Sequence, residues 1–234
     1  MTLVLGGRCK DGVVIVTDMK ITSRASGSPV FLKYDTKISG VFMNIIFGYA
    51  GDVDTYDVYL NYAIGDAVRK RDDPNDVYTN DNFIQRLCDN MTKIRKILAR
   101  NQRDLLLRIM VGRQFPGKGK SDLHKVNSNG DQNLVTTYAI LGDADICADE
   151  LVKGKWQSDM RMSEFAELSY CVIRYIEEKK ISEAVGLGKE KLPPTKYLKD
   201  AGNIDTDLTE EEWERFKESY KDYENYFDHI RQSR

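Results

Sequence analysis

Four residues in the N-terminal part of the chain could together form an acyl-transfer site. Thr2 carries a hydroxyl, and removal of Met1 would also give it a free α-amine. An α-amine has a reference pKa of about 8, so near physiological pH a substantial fraction is neutral and can accept the hydroxyl proton. Asp18, Lys37 and Gly51 would supply an acid that positions the groups, a cation that lowers the pKa of the amine, and a backbone N–H for the oxyanion.

Each of these residues also has an ordinary structural explanation when it is taken alone. An acid after a strand commonly forms a turn, and a glycine before a helix commonly forms a bend. The functional interpretation therefore depends on the joint arrangement. Asp18 ends the segment GVVIVTD, Lys37 begins the segment KISGV, and Gly51 ends the segment IIFGYAG.

The elements that must position these residues are β-strands. Residues 2–9 and 12–17 are apolar, β-branched runs separated by a short Lys-Asp-Gly segment, which predicts two strands joined by a tight turn. Residues 19–36 predict a loop or an irregular hairpin. Residues 37–51 predict two further strands, the second of which ends at a Gly-x-x-Gly bend.

The middle of the chain changes to helical periodicity. Apolar residues recur at helical spacing over 52–70 and again from about Asn80, which predicts two long helices. The apolar face predicted for the second helix consists of Phe83, Ile84, Leu87, Met91, Ile94, Ile97 and Leu98. Residues 105–115 then predict a strand, and the polar, glycine-rich residues 116–132 predict an exposed loop.

Residues 134–143 predict one more strand, and residues 163–180 predict an amphipathic helix with Ser163 as its N-cap. Residues 186–194 predict a break. Strands, paired helices and further strands in this order indicate an α+β fold with two antiparallel sheets stacked between helical layers.

The last part of the chain predicts a long helix that begins after Leu208, with Thr209 and Glu212 at the spacing of a capping box. Its apolar residues form a heptad-like seam of Trp213, Phe216, Tyr220, Tyr223, Phe227 and Ile230. We favour packing of this seam within the protein, and a binding surface for a partner is the alternative. We expect two regions, a main domain over 1–200 and a helical extension over 201–234.

The composition is typical of a globular protein and excludes several classes of function. The 234 residues are 41% hydrophobic and 31% charged, with a net charge of −2. Near-neutral charge argues against a nucleic-acid-binding protein, and no apolar run is long enough to span a membrane. The start lacks the pattern of a secretory signal, so we expect a cytoplasmic protein.

The cysteines and histidines do not form a metal-binding pattern. The chain has two histidines and four widely separated cysteines without a C-x-x-C pair, namely Cys9, Cys88, Cys147 and Cys171. We therefore expect reduced cysteines that pack in the core, and we expect neither a metal nor a cofactor.

Long stretches of the sequence resemble the proteasome β-subunit family of N-terminal-nucleophile hydrolases. The matching segments are TLVLGGRCKDGVVIVTDMKIT, TKISGVFMNIIFGYAGDVDT, the two predicted helices after them and LLLRIMVG. In this resemblance Thr2 falls on the nucleophile, Asp18 on the acid, Lys37 on the catalytic lysine and Gly51 on the oxyanion glycine. The resemblance implies a four-layer αββα fold and cleavage of amide bonds by a threonine.

The second half of the chain departs from the family pattern. Where the family has Gly-Ser-Gly with a supporting serine, this chain places Asp143. The family's Asp-x-x-Ser-Gly-Gly segment appears here as SEAVGL, residues 182–187, so both its acid and its serine are missing in place. We take Asp143 and Glu183 as tentative supporting residues. The final helix lies outside the family pattern, so the sequence indicates a divergent member.

The resemblance implies a threonine peptidase that acts on peptides or unfolded proteins and assembles as a homo-oligomer. Two alternatives remain open. A transpeptidase or peptide ligase would use the same acyl-threonine intermediate with an amine in place of water. A non-catalytic scaffold would fit the altered C-terminal half of the site.

Overall fold

The computed structural model describes residues 2–23, 30–34, 38–42, 44–51, 80–101, 107–115, 119–188, 193–200, 204–205 and 209–233. The predicted helix over 52–70 and Lys37 lie outside these ranges. The strands are β1 Leu3–Cys9, β2 Gly12–Thr17, β3 Lys20–Ser23, β4 Val30–Tyr34, β5 Ile38–Phe42, β6 Ile45–Gly51, β7 Leu107–Phe115, β8 Lys120–Val126, β9 Gln132–Val135, β10 Tyr138–Gly142, β11 Thr195–Lys199 and β12 Ile204–Asp205. The helices are α1 Asn80–Arg100, α2 Asp145–Lys153, α3 Met162–Glu178 and α4 Glu210–Gln232.

The strands of the described ranges form two five-stranded antiparallel sheets and one separate hairpin. The first sheet has the order β10-β1-β2-β11-β12, and the second has the order β5-β6-β7-β8-β9. Strands β3 and β4 pair with each other with a shift in register, which confirms the predicted irregular hairpin. Every pairing within the sheets is antiparallel. A short turn joins β1 to β2, whereas the pairings of β1 with β10, β2 with β11 and β6 with β7 join segments far apart in the chain.

Alternation of side chains along the strands produces the layers. In β2, Val13 and Ile15 face a core between the two sheets, whereas Val14 and Val16 face the core beneath α2, α3 and α4. The other face of the second sheet packs its apolar residues against α1. Successive strand residues point to opposite faces, so strands that are apolar on both faces are buried between two layers. The predicted αββα sandwich is therefore confirmed.

Two of the predictions for the second sheet were wrong. Residues 120–126 form strand β8, although the prediction for 116–132 was an exposed loop. This strand is polar in composition but buries Leu123 between the sheets, and Asp122 accepts two hydrogen bonds from Arg113 of β7, at 3.0 and 2.7 Å. Ser121 likewise donates its N–H to Asp200, which follows β11, at 2.8 Å. These partners lie on other segments of the chain, and sequence pattern alone does not show them.

The predicted strand over 134–143 is two strands in different sheets. Strand β9 belongs to the second sheet and β10 to the first, with a bend at Thr136 and Thr137 between them. The short helix α2 and strand β11 were not predicted. The change of sheet occurs at two exposed threonines that apolar residues flank on both sides, so the sequence pattern did not separate the two strands.

The predicted helices that lie within the described residues are present, with differences in detail. Helix α3 begins one residue before Ser163, and its N-cap is Arg161, whose N–H donates to the carboxylate of Glu164 at 2.6 Å. Ile97, predicted on the apolar face of α1, is 50% exposed. Helix α4 begins after Thr209, which accepts the N–H of Glu212 at 3.2 Å, as the capping box predicted.

The aromatic seam of α4 packs against α3. Phe216 and Phe227 are fully buried, and the Phe227 ring meets that of Tyr175 at 5.2 Å between centroids. The Tyr175 hydroxyl donates to Asp228 at 2.7 Å. This contact supports the interpretation that the seam packs within the protein.

Candidate active site

The N-terminal end of β1 lies between the ends of two neighbouring strands. Leu3 pairs with Gly142 of β10, and Val4 pairs with Thr17 of β2. Thr2 immediately precedes this end of the strand and is 2% exposed. The antiparallel pairing therefore brings one neighbouring strand end to each side of Thr2.

Asp18 extends the pairing of β1 and β2 by one residue. Its N–H donates to the carbonyl of Leu3 at 3.0 Å, and its Oδ1 accepts the N–H of Leu3 at 2.9 Å. Its Oδ2 accepts the N–H groups of Lys20 at 3.3 Å and Gly186 at 3.2 Å. These bonds hold the fully buried carboxylate of Asp18 in one orientation, bonded to Leu3, the residue that follows Thr2.

Strand β10 supplies backbone groups on the other side of Thr2. Gly142 has a φ of +120°, in the region that favours glycine. A Cβ atom there would lie 1.6 Å from the carbonyl oxygen of Thr2. Asp143 donates its N–H to the same oxygen at 2.9 Å. The close approach of the segment at Gly142 and Asp143 thus fixes the backbone of Thr2.

We expect Gly142→Ala to lower the free energy of unfolding by about 2–3 kcal/mol, because the methyl group would meet a backbone atom and the left-handed conformation disfavours a side chain. Urea unfolding measures this change. Gly119→Ala is the matched control, since Gly119 also has a positive φ but a Cβ there meets nothing within 4 Å. Equal losses in the two variants would contradict the close approach to Thr2.

The carboxylate of Asp143 is bound by a loop that follows α3. We call residues 182–188 the site loop. Its Ser182 donates a hydrogen bond from Oγ to Asp143 Oδ2 at 2.8 Å, and Ser182 Oγ accepts the N–H of Ala184 at 3.1 Å. Glu183 is exposed. The structure therefore brings Ser182, rather than the predicted Glu183, to Asp143.

The site loop also supports the acid on the opposite side of Thr2. Besides donating to Asp18, Gly186 accepts the N–H groups of Met19 at 2.9 Å and Lys20 at 3.0 Å. One loop thus contacts both groups that flank Thr2.

Helix α3 holds the site loop in place. Glu177 accepts the N–H of Gly188 at 3.1 Å, and Arg174 donates to the carbonyl of Gly188 at 3.1 Å. A Cβ on Gly186 would lie 2.6 Å from the Glu177 carboxylate, so the loop backbone lies directly against this side chain.

Gly51 lies at the corresponding end of the second sheet. It pairs with Leu107 and has a φ of +148°. The adjacent Arg108 donates from its guanidinium to the carbonyl of Gly142, at 3.4 Å. This contact between the sheets places Gly51 at the same end of the sandwich as Gly142.

The structure thus brings Thr2, Asp18 and Asp143 together and places Gly51 at the same end of the fold. Sequence reasoning missed Ser182, Gly186 and Arg108 as residues that contact this cluster. Ser182 lies within the segment compared with the family pattern, but its bond to Asp143 depends on how the site loop folds back after α3.

The buried thiols do not provide an activated nucleophile. Burial raises the pKa of the Cys9 and Cys171 thiols, and it raises that of Cys88 to about 11. These groups are therefore protonated at neutral pH and react poorly as nucleophiles. Cys9 also lies at the opposite end of β1 from Thr2.

The part of the chain that the structure describes offers neither a metal site nor a membrane-spanning helix. Within those ranges, no group of three or more His, Cys, Asp or Glu residues is placed to hold a metal ion. None of the helices described there combines the length and apolar character that crossing a membrane requires.

The αββα sandwich, with two antiparallel sheets between helical layers, matches the proteasome-type N-terminal-nucleophile sandwich fold. The family described as "Proteasome subunit" matches residues 2–186, so the chain belongs to the proteasome subunit family. The structure is similar to that of an Anbu (Gly-1) mutant from Hyphomicrobium sp. strain MC1, with a TM-score of 0.69 and 15% identity. That alignment covers 100% of this chain and 96% of the other, and at this identity it shows the fold alone. A comparison with curated protein sequences finds no match.

Proposed function

We propose that the protein is an N-terminal-threonine peptidase that acts in the cytoplasm after removal of Met1. Its substrates are peptides or unfolded proteins, and it requires no cofactor. Homo-oligomerisation, as expected from the resemblance, belongs to the same proposal. The observation that carries the proposal is the buried carboxylate of Asp18, which is hydrogen-bonded to Leu3 immediately after Thr2.

The proposed reaction has two steps. The Thr2 hydroxyl attacks the substrate carbonyl while its proton passes to the α-amine of Thr2, and the N–H of Gly51 stabilises the oxyanion. The ammonium then protonates the leaving amine as the C–N bond breaks, which leaves an acyl-threonine ester. Water hydrolyses this ester and regenerates Thr2. Lys37 lowers the pKa of the amine, and Asp18 orients Lys37.

A non-catalytic scaffold is the second candidate function. The observation that favours it is the 2% exposure of Thr2, because a nucleophile must be reached by its substrate. Removal of Met1 is the step that distinguishes the two candidates, since without it Thr2 has no free α-amine to act as the base.

Intact mass and covalent labelling of the protein, expressed from its own start codon, test the proposal. We expect a mass that lacks Met1. We expect a peptide epoxyketone to add once, at Thr2, because its two electrophilic carbons can be attacked by a hydroxyl and an adjacent amine. The same peptide as a methyl ketone is the control and should not add irreversibly. A mass that retains Met1, or an adduct at another residue, would overturn the peptidase proposal.

Product analysis separates hydrolysis from peptide ligation. With a cleavable peptide alone, the proposed peptidase gives only fragments. Joined peptides that appear after addition of a second peptide with a free amine would show that the acyl intermediate is transferred to an amine rather than to water.

A further inference from the structure

Arg108 is a cation in the space between the two sheets, at the end of the sandwich where Thr2 lies. In β7 it pairs with Ala50 and precedes Met110 by two residues, and both of these residues face the core between the sheets. Residues that pair directly and residues two apart in a strand share a face, so Arg108 projects from the second sheet toward the first. Its side chain is 39% exposed, which places it at the mouth of this space.

The side chain of Thr2 projects toward the same space from the first sheet. The bond from the N–H of Asp143 continues the pairing of β1 with β10 as far as the carbonyl of Thr2. Alternation along β1 then places Thr2 on the face of Val4, which contacts the core between the sheets. The Arg108 guanidinium lies 3.4 Å from the carbonyl of Gly142, the residue that packs against the Thr2 backbone. A substrate bound at Thr2 therefore lies close to this cation.

The guanidinium of Arg108 has more donors than its contacts use. A guanidinium carries five N–H donors in one plane. Within the part of the chain that the structure describes, the Arg108 side chain makes two polar contacts, the bond to Gly142 and an ion pair with Asp145, in which Nη1 and Oδ2 are 3.6 Å apart. That distance is too long for a hydrogen bond, and both side chains of the pair are 39% exposed, so the pair is weak.

Arg113, on the opposite face of β7, shows what a fully engaged arginine in this strand looks like. Its Nε and Nη2 donate to the two carboxylate oxygens of Asp122 at 3.0 and 2.7 Å, and its side chain is only 9% exposed. This fork of two parallel hydrogen bonds is the geometry in which a guanidinium recognises a carboxylate. Arg108 has the same donors, is more exposed and lacks such a partner among the described residues.

We propose that Arg108 is a specificity-determining residue that binds a carboxylate of the peptide substrate near the bond to be cleaved. This inference rests on the proposed function. The carboxylate belongs either to an acidic side chain or to the free C-terminus of the peptide, and it forms with Arg108 the two hydrogen bonds that Asp145 does not form. Asp145 competes for the same cation and therefore limits the preference for such substrates.

Cleavage of a peptide mixture tests this proposal. The mixture contains random peptides with either a free or an amidated C-terminus, and Thr2→Ala serves as the blank. Mass spectrometry of the fragments gives the ratio of glutamate to glutamine at each position around the cleaved bond, and the ratio of free acid to amide. We expect the wild type to prefer the carboxylate by about tenfold or more in one of these ratios, since charge-assisted hydrogen bonds are strong. Which ratio departs from one identifies the source of the carboxylate.

Substitutions of Arg108 should change this preference in a defined order. Arg108→Lys should retain part of it, because the charge remains but the fork is lost. Arg108→Gln should bring the ratio to about one, and Arg108→Glu should reverse the preference, because a fixed carboxylate repels that of the substrate. Asp145→Asn should raise the ratio about two- to threefold, because it removes the competing anion. A purely structural role of Arg108 would not produce a reversal.

The control is Arg95→Gln, which removes the same charge from an exposed position of α1 and should keep the wild-type ratio. Melting temperatures identify any variant that fails to fold, and the other three variants test the proposal if Arg108→Glu does not fold. If the wild type cleaves no peptide of the mixture, the proposed function fails and this inference fails with it. If the wild type cleaves peptides without a preference for a carboxylate, or if folded Arg108→Gln keeps that preference, only the role of Arg108 is overturned.

Discussion

Replacing Thr2 by alanine is expected to abolish acylation by a peptide epoxyketone. The substitution removes the hydroxyl that is proposed to attack the ketone first, and it leaves Asp18 and Gly51 in place. The α-amine also remains, but it is proposed to attack the epoxide only after that first bond has formed. Because the N–H of Asp143 holds the backbone carbonyl of Thr2, the change of side chain should not displace the start of β1. Mass spectrometry of the intact protein after incubation measures the adduct directly.

Two variants make this result interpretable. Thr2→Ser keeps a hydroxyl beside an α-amine and should still be labelled. Thr136→Ala removes a threonine from an exposed bend and should react like the wild type. Adduct formation on a correctly processed Thr2→Ala protein would show that the nucleophile is another residue, and the peptidase proposal would then be wrong.

Replacing Phe227 by alanine is expected to cause the largest loss of stability. Phe227 of α4 is fully buried and contacts the ring of Tyr175 on α3. Truncating a buried phenylalanine removes apolar burial and leaves a cavity, which typically costs about 3–5 kcal/mol. For a chain of this length, such a loss corresponds to a fall in melting temperature of roughly 10 °C. Urea unfolding and calorimetry measure the two quantities.

The neighbouring Asn225 provides the control, because it is exposed on the same helix and Asn225→Ala removes no buried contact. Its variant should unfold within about 0.5 kcal/mol of the wild type. If Phe227→Ala lowered the free energy of unfolding no more than Asn225→Ala does, the packing of α4 on α3 would be contradicted. Unfolding in two separate transitions would instead support an independent extension over 201–234.

The packing of α4 also bears on the candidate site. Its Asp228 binds Tyr175 and Lys179, both near the C-terminal end of α3. Glu177, in the same turn of α3, binds the site loop. The segment outside the family match therefore supports the helix that holds the loop beside Thr2.

Local sequence was sufficient to predict the N-terminal half of the site. The tight turn between β1 and β2 sets the register of the hairpin, and this register places Asp18 opposite Leu3. The spacing of Thr2 and Asp18 therefore specifies their proximity without information from the rest of the chain. The capping box of α4 was predictable for the same reason, since Thr209 and Glu212 are neighbours on one helical turn.

The contacts that the sequence did not predict join segments far apart in the chain. Strand β8 is polar, and only its pairing with β7, including the bond from Arg113 to Asp122, shows why it is a strand. The change of sheet between β9 and β10 is likewise shown only by their pairing, β9 with β8 and β10 with β1.

By itself, the sequence determined the αββα class, the hairpin that carries Thr2 and Asp18, and the aromatic helix, because periodicity and turn register are local properties. Only the tertiary structure decided that Ser182 rather than Glu183 meets Asp143. Serine and glutamate are adjacent in the site loop, and which of them faces inward depends on how α3 directs that loop back to the end of β10. Hydrogen bonds between distant segments are set by this packing, so no local pattern specifies them.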